Sequence, residues 1–183
     1  MSGASPEIVV TRAMKALQTG VQRLQAPVAK GFQRGSKMLG FPTANMEIMW
    51  DLEGQPGQLT PAQKTLLDFM NTHPCGIYYG WCQVPDVDET VHKAAVSIGW
   101  NPTFKDVKQK VIEPWILHEF DRDFYGAELR LLLCGYVREE IDFQGNFELL
   151  VKAIKEDGEF CAQALDSCLE AKNDAFFLNS GNS

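Results

Sequence analysis

Between residues 77 and 138 the chain carries four apolar, β-branched or aromatic runs, at 77–84, 92–100, 111–120 and 128–138. No helical pattern separates any two of them. Parallel strands need crossover connections of a dozen or more residues, usually helices, so this order excludes a doubly wound nucleotide fold and leaves antiparallel pairing. Within 92–100, Ala94, Val96, Ile98 and Trp100 alternate with Lys93, Ala95, Ser97 and Gly99, the period of a strand buried on one side. Within 128–138, Leu129, Leu131, Leu133 and Val137 share one face by the same rule, and Glu128, Arg130 and Arg138 share the other. A further strand is expected over 21–29.

The period then changes. Phe147, Leu150, Val151, Ile154, Cys161, Leu165 and Cys168 recur at spacings of three, four or seven, which predicts one amphipathic helix within 146–170. Asn146 is its candidate N-cap, and Gly158 on the buried stripe implies close approach of a neighbour. Strands followed by a single helix suit a small barrel or sandwich with a helical lid. Residues 46–75 hold Gly54, Pro56, Gly57, Pro61 and Pro74, so they read as an irregular excursion in which Thr60 caps a helix reaching Met70. Residues 1–20 read as an extension with a short amphipathic turn or helix, 21–175 as one domain and 176–183 as a tail.

Composition removes several classes of function. Lys and Arg total 17 against 24 Asp and Glu, a net charge of −7, whereas non-specific nucleic-acid binding needs a cationic surplus. No two of the five cysteines have two-residue spacing, which excludes a zinc ribbon or a thioredoxin-like pair and fits reduced thiols in a reducing compartment. No apolar run nears the ~18 residues of a spanning helix. Residues 11–23 are basic and free of acid, as in a mitochondrial presequence, but the cytosol is the default expectation.

The chemistry concentrates at 31–45, Gly-Phe-Gln-Arg-Gly-Ser-Lys-Met-Leu-Gly-Phe-Pro-Thr-Ala-Asn. Its glycines, Arg34, Ser36 and Lys37 can wrap N–H groups and two cations around an anion. A surface hairpin with solvated cations fits the same residues. Thr43 and Asn45, two apart on an extended segment, project oxygens to one side, and with phosphate oxygens they suit Mg²⁺. A turn in which Asn45 bonds its own backbone is the plainer alternative.

This stretch resembles the signature of the riboflavin kinase family, and further blocks follow in that family's order. They are Gly76-Ile77-Tyr78-Tyr79-Gly80-Trp81, Ser97-Ile98-Gly99-Trp100-Asn101-Pro102, Glu113 with Leu117-His118, Asp123-Phe124-Tyr125-Gly126, and Gly135-Tyr136-Val137-Arg138. The resemblance implies a mainly β fold, a six-stranded antiparallel barrel of Greek-key type with a C-terminal helix. It implies transfer of the γ-phosphoryl of ATP to the ribityl 5′-hydroxyl of riboflavin, giving FMN and ADP. By resemblance, Gly31, Phe32, Arg34, Gly35, Ser36 and Lys37 cover the nucleotide phosphates. Thr43 and Asn45 then hold Mg²⁺, with Zn²⁺ or Mn²⁺ as alternatives, and Glu113 is the catalytic base. His118 and Tyr125 match positions near the nucleotide, and Arg138 one that contacts the flavin when its loop closes.

Phe143 and Phe147, near the helix start, are candidates to cover an isoalloxazine ring, with a core role as the alternative. Trp81, Trp100 and Trp115 read as core or barrel-rim residues, and His73 and His92 receive no role. The sequence departs from the family's pattern at Ala26-Pro27, in the length of 46–75, and at Pro114-Trp115 after the glutamate. Pro114 lacks an N–H, and a bulge or edge there is expected to turn Glu113 toward a cavity. A monomer is expected, with riboflavin, FMN, ATP and ADP as its ligands and neither nucleic acid nor membrane as partner. FAD synthesis is not expected, since neither His73 nor His92 opens a His-x-Gly-His motif and only 30 residues precede the signature. The competing class is a non-catalytic barrel that binds flavin or oligonucleotide.

Overall fold

The computed structural model describes residues 8–29, 43–48, 57–101 and 109–178. Its strands are β1 (Lys15–Ala16), β2 (Gln22–Ala29), β3 (Asn45–Met46), β4 (Gly76–Val84), β5 (Asp88–Asn101), β6 (Gln109–Ile116) and β7 (Glu128–Arg138). The helices are α1 (Pro61–Thr72), α2 (Phe147–Asp166) and α3 (Ala175–Leu178), with a 3₁₀ turn at Leu169–Asn173 between the last two. Among the described residues no helix is long and apolar enough to cross a membrane. All five cysteines are free, and burial alone pushes the Cys82 thiol far up.

The strands run β3-β2-β7-β4-β5-β6, every pair antiparallel, with β1 paired to β7 off this path. β4, β5 and β6 form a meander and β7 returns beside β4, which is the Greek-key order. The two ends meet where the Ala44 N–H donates to the Pro114 carbonyl at 2.8 Å, nearly closing a six-strand barrel. Leu24, Ala26, Val28, Met46, Tyr78, Cys82, Val96, Ile98, Ile112, Leu129, Leu131 and Leu133 fill its interior.

A second apolar layer covers the barrel's outer wall. There Tyr79, Trp81, Ala95, Leu132 and Val137 pack against Cys161, Ala164 and Leu165 of α2. β7 is therefore buried on both faces, and Arg130 on its outer side is 5% exposed. The face expected for Val137 is corrected by the pairing. Between Gly80↔Leu133 and Tyr79↔Gly135 one residue, Cys134, is left over, and between Tyr78↔Tyr136 and Ile77↔Arg138 a second, Val137, is left over. Each one-residue bulge reverses the alternation. Tyr136 therefore turns inward, Val137 joins the outer layer, and Arg138 returns to the outer face of Arg130.

Both helix caps follow the sequence. The Thr60 hydroxyl accepts from the Gln63 N–H, and the Gln63 side chain accepts from the Thr60 N–H, a capping box with Pro61 in the first turn. The Asn146 side chain accepts from the Leu149 N–H at 3.0 Å. Gly158 is where α2 comes closest to the barrel: a Cβ there would lie 2.3 Å from the Trp115 ring. Residues 8–14 form no helix and lead into β1, whose Lys15 and Ala16 pair with Tyr136 and Gly135; a turn follows at 18–19, where the Gly20 N–H donates to the Leu17 carbonyl at 3.0 Å.

Candidate active site

The alternation along β6 decides where its polar group points. Ile112, Pro114 and Ile116 are buried, with Ile112 and Ile116 in the barrel core, so Glu113 and Trp115 face outward toward α2. No bulge is needed, since the β5–β6 register runs unbroken from Ala94↔Ile116 to Asn101↔Gln109. Pro114 is tolerated because its carbonyl faces β3, as the Ala44 bond shows, so its missing N–H faces that side too. Pro27 sits likewise in β2, its carbonyl accepting from the Glu47 N–H.

Outside the barrel wall, under α2, lies a cavity of about 250 Å³. β5 and β6 give it Ala95, Ser97, Glu113 and Trp115. α2 gives Leu150, Ile154 and Asp157, and the segment joining β7 to α2 gives Glu140, Ile141 and Phe143. Thr43 stands at the β3 side, and Arg138 at the end of β7. The walls are thus mainly apolar with a few convergent polar groups, the usual make-up of a small-molecule site.

Desolvation raises the Glu113 carboxyl above its ordinary pKa of 4.5. Glu140 is raised too, first by burial, with Arg138 and Lys110 opposing. The Arg138 guanidinium is held by Asp157 of α2: Nε donates to Oδ1 at 2.9 Å and Nη2 to Oδ2 at 2.5 Å, while Nη1 donates to the Glu139 carbonyl at 2.8 Å.

The cavity therefore gathers Thr43, Glu113, Arg138 and Phe143. Asn45 lies on β3 opposite Ala29, and since Ala44 and Met46 are buried, Thr43 and Asn45 share the outer side. Phe147 does not line the cavity and is 60% exposed. Gly31, Phe32, Arg34, Gly35, Ser36 and Lys37 lie outside the described residues. Tyr125 is half exposed in the turn before β7, where the Gly126 N–H donates to the Val28 carbonyl at 2.8 Å. That turn thus lies against the end of β2. His118 sits further off. It stacks on His92, five residues along β5 from the Ser97 that opposes Glu113, or about 16 Å of strand.

Comparison with known proteins fixes the family. The family described as Flavokinase: Riboflavin kinase matches residues 21–165. The chain belongs to the riboflavin kinase family. A riboflavin kinase of Mus musculus is 43% identical over 155 residues, spanning 82% of this chain and 86% of that protein. The bifunctional riboflavin kinase/FMN phosphatase of Arabidopsis thaliana is 45% identical over 140 residues; the match takes in 76% of this chain but only 32% of that relative. The crystal structure of riboflavin kinase from Trypanosoma brucei superposes with a TM-score of 0.62 at 26% identity, covering 90% of this chain and 93% of that one.

In this riboflavin kinase family member, sequence reasoning missed one cluster. Asp88, His92 and His118 bring a ligand atom each within 4.8 Å of one another. His92 Nε2 is 2.7 Å from Asp88 Oδ2 and His118 Nε2 is 3.8 Å from it. Hydrogen bonds from Thr90, then from His92, hold Asp88 well below the usual carboxylate range. The rings stack at 4.0 Å and 15°, so their in-plane lone pairs lie in separate, nearly parallel planes. A tetrahedral ion needs converging lone pairs, so the rings would have to rotate to chelate one. Asp88 and His92 lie four apart, but His118 arrives from the far end of β6, a pairing that spacing alone does not carry.

Proposed function

We propose that the protein is a riboflavin kinase that transfers the γ-phosphoryl of ATP to the 5′-hydroxyl of riboflavin, with Glu113 as general base. The observation that carries this is a desolvated carboxyl, Glu113, in a largely apolar cavity that also takes in Thr43. In the reaction the 5′-oxygen forms a bond to the γ-phosphorus while the bond from that phosphorus to the β-bridging oxygen breaks. ADP departs, and the hydroxyl proton passes to Glu113. A carboxylate with a raised pKa is a better match to an alcohol's proton than an ordinary one. Trp115, Ile141, Phe143 and Ile154 offer flat and branched apolar surface to an isoalloxazine ring, and Arg138 a polar contact at its edge.

Thr43 and Asn45 would hold the divalent cation. Two neutral oxygens alone are a poor site for Mg²⁺, which prefers several oxygens including carboxylate or phosphate. The fit is therefore to an ion that arrives on the nucleotide phosphates and supplies charge neutralisation there. His118 and Tyr125, at the end of the barrel where β6 and β2 finish, would meet the nucleoside part. Thr43→Ala is expected to raise the KM for Mg-ATP about tenfold with the riboflavin KM unchanged. Unaltered ATP kinetics at limiting Mg²⁺ would remove Thr43 from the metal site. The activity itself is tested by incubating the protein with riboflavin and Mg-ATP and separating flavins by chromatography; a stoichiometric rise of FMN and ADP is expected. No FMN with Mg²⁺, Mn²⁺ or Zn²⁺ sinks the proposal.

A further inference from the structure

The segment at 8–16 precedes the residues matched to the family, 21–165, yet it reaches the candidate site. Its Ala13 N–H donates to the carbonyl of Val137, the second bulge residue, at 3.3 Å, and Lys15 and Ala16 continue along β7. From there Arg12 crosses to α2. Its Nε donates to Asp157 Oδ1 at 2.7 Å, its Nη2 to the Ala153 carbonyl at 3.0 Å, and its Nη1 lies 3.1 Å from Glu156 Oε2. Asp157 Oδ1 is the same oxygen that accepts from Arg138 Nε. One carboxylate, 3% exposed, thus ties two guanidiniums that lie on the cavity wall and on the N-terminal segment.

The hydrogen bonds of Arg138 show what this arrangement achieves. A guanidinium has five N–H groups, and Asp157 and Glu139 take three of them. One N–H on each terminal nitrogen remains, in a plane fixed by the fork to Asp157. The end of β7 that carries Arg138 is irregular, following two bulges, so it does not set that plane by itself. The N-terminal segment bonds to β7 beside the last bulge and to α2 at the carboxylate, and so fixes the two relative to each other.

We infer that the N-terminal segment is part of the flavin site, with Arg12 and Asp157 acting as positioning residues that hold the Arg138 guanidinium toward its ligand. This rests on the reading of Arg138 as a flavin contact. The relation is one of geometry rather than of contact with substrate, since Arg12 does not line the cavity. It predicts that Arg12 matters for riboflavin only while Arg138 is present.

A double-mutant cycle in the full chain tests it, with riboflavin affinity read from flavin fluorescence and KM values from steady-state assays. Arg12→Ala is expected to weaken riboflavin binding roughly threefold to tenfold, with the KM for ATP unchanged. Arg12→Lys, which keeps the charge but not the fork, should recover only part of that loss. In an Arg138→Ala background Arg12→Ala should add nothing; if that background does not fold, Arg138→Lys replaces it. Equal Arg12 effects with and without Arg138 overturn the inference, as does a lower melting temperature with riboflavin affinity intact. If Arg138→Ala and Arg138→Lys both leave riboflavin affinity at the wild-type value, the flavin reading of Arg138 falls and the inference with it. If those variants weaken binding and Arg12→Ala does not, only the inference falls.

Discussion

Glu113→Gln is expected to lose turnover by 10²–10⁴-fold, the range for removing a positioned general base, while riboflavin and Mg-ATP bind about as before. Gln keeps the shape and one acceptor oxygen but cannot take the proton. The pH profile gives a second readout. Since desolvation raises the Glu113 pKa, kcat should fall on the acid side along a limb that begins above the ordinary 4.5, because the base must be ionised to act. That limb should vanish from whatever activity the Gln variant retains. Stability should move the other way. A carboxyl with a folded pKa above its unfolded one binds more protons folded than unfolded, so its contribution to stability is full below the unfolded pKa and declines as pH rises through the folded one. At pH 7 the ionised Glu113 is therefore a burden on the fold, and the Gln variant should melt at or above the wild-type temperature. A variant with near wild-type kcat, or one that melts lower and loses activity in proportion, would remove Glu113 as the base.

What the sequence disclosed of this site follows from which signals are local. The strand periods and the capping residues Thr60 and Asn146 depend on neighbours within a turn or a strand, and the structure carries them as far as Leu133 of β7; a glycine in the apolar stripe marks the close approach at Gly158, though not that its neighbour is Trp115 of β6. The bulges at Cys134 and Val137 are not local in that sense. From Arg130 to Val137 both faces of β7 are covered, so apolar residues fall on both and no alternation records the slips. Pro114 predicts an irregularity at Glu113, but the strand stays regular because its missing N–H faces the β3 side. The cavity wall is less legible still. Arg12 and Asp157 are 145 residues apart, and only the packing of α2 and of the N-terminal segment on β7 joins them. Nearness to the helix start makes Phe147 a candidate, yet as the first residue of α2 it falls on the exposed side while Phe143, three residues before the cap, turns into the cavity.

Asp157→Asn should produce the largest loss of stability of any single change at this site, about 3 kcal/mol, measured by denaturant unfolding at pH 7. The substitution is nearly isosteric, so packing of α2 is kept and the charge alone is removed. What remains is a neutral amide facing Arg138, 7% exposed, and Arg12, 12% exposed at its side chain. Only one amide oxygen can accept, so the fork to Arg138 is broken in either orientation, with the Arg12 bond lost as well when that oxygen takes the Oδ2 position, and the amide NH₂ is driven against a cation. Breaking a buried pair by removing one partner commonly costs 3–5 kcal/mol because the other charge is left uncompensated. The lower end applies because Arg138 borders the cavity and Arg12 retains Glu156 at 3.1 Å. By contrast Asp166, whose pair with Lys93 is exposed, should lose no more than about 1 kcal/mol on conversion to Asn. Equal effects at Asp157 and Asp166 would mean that the two arginines find other acceptors as the charge leaves, and that the carboxylate under α2 does not fix them.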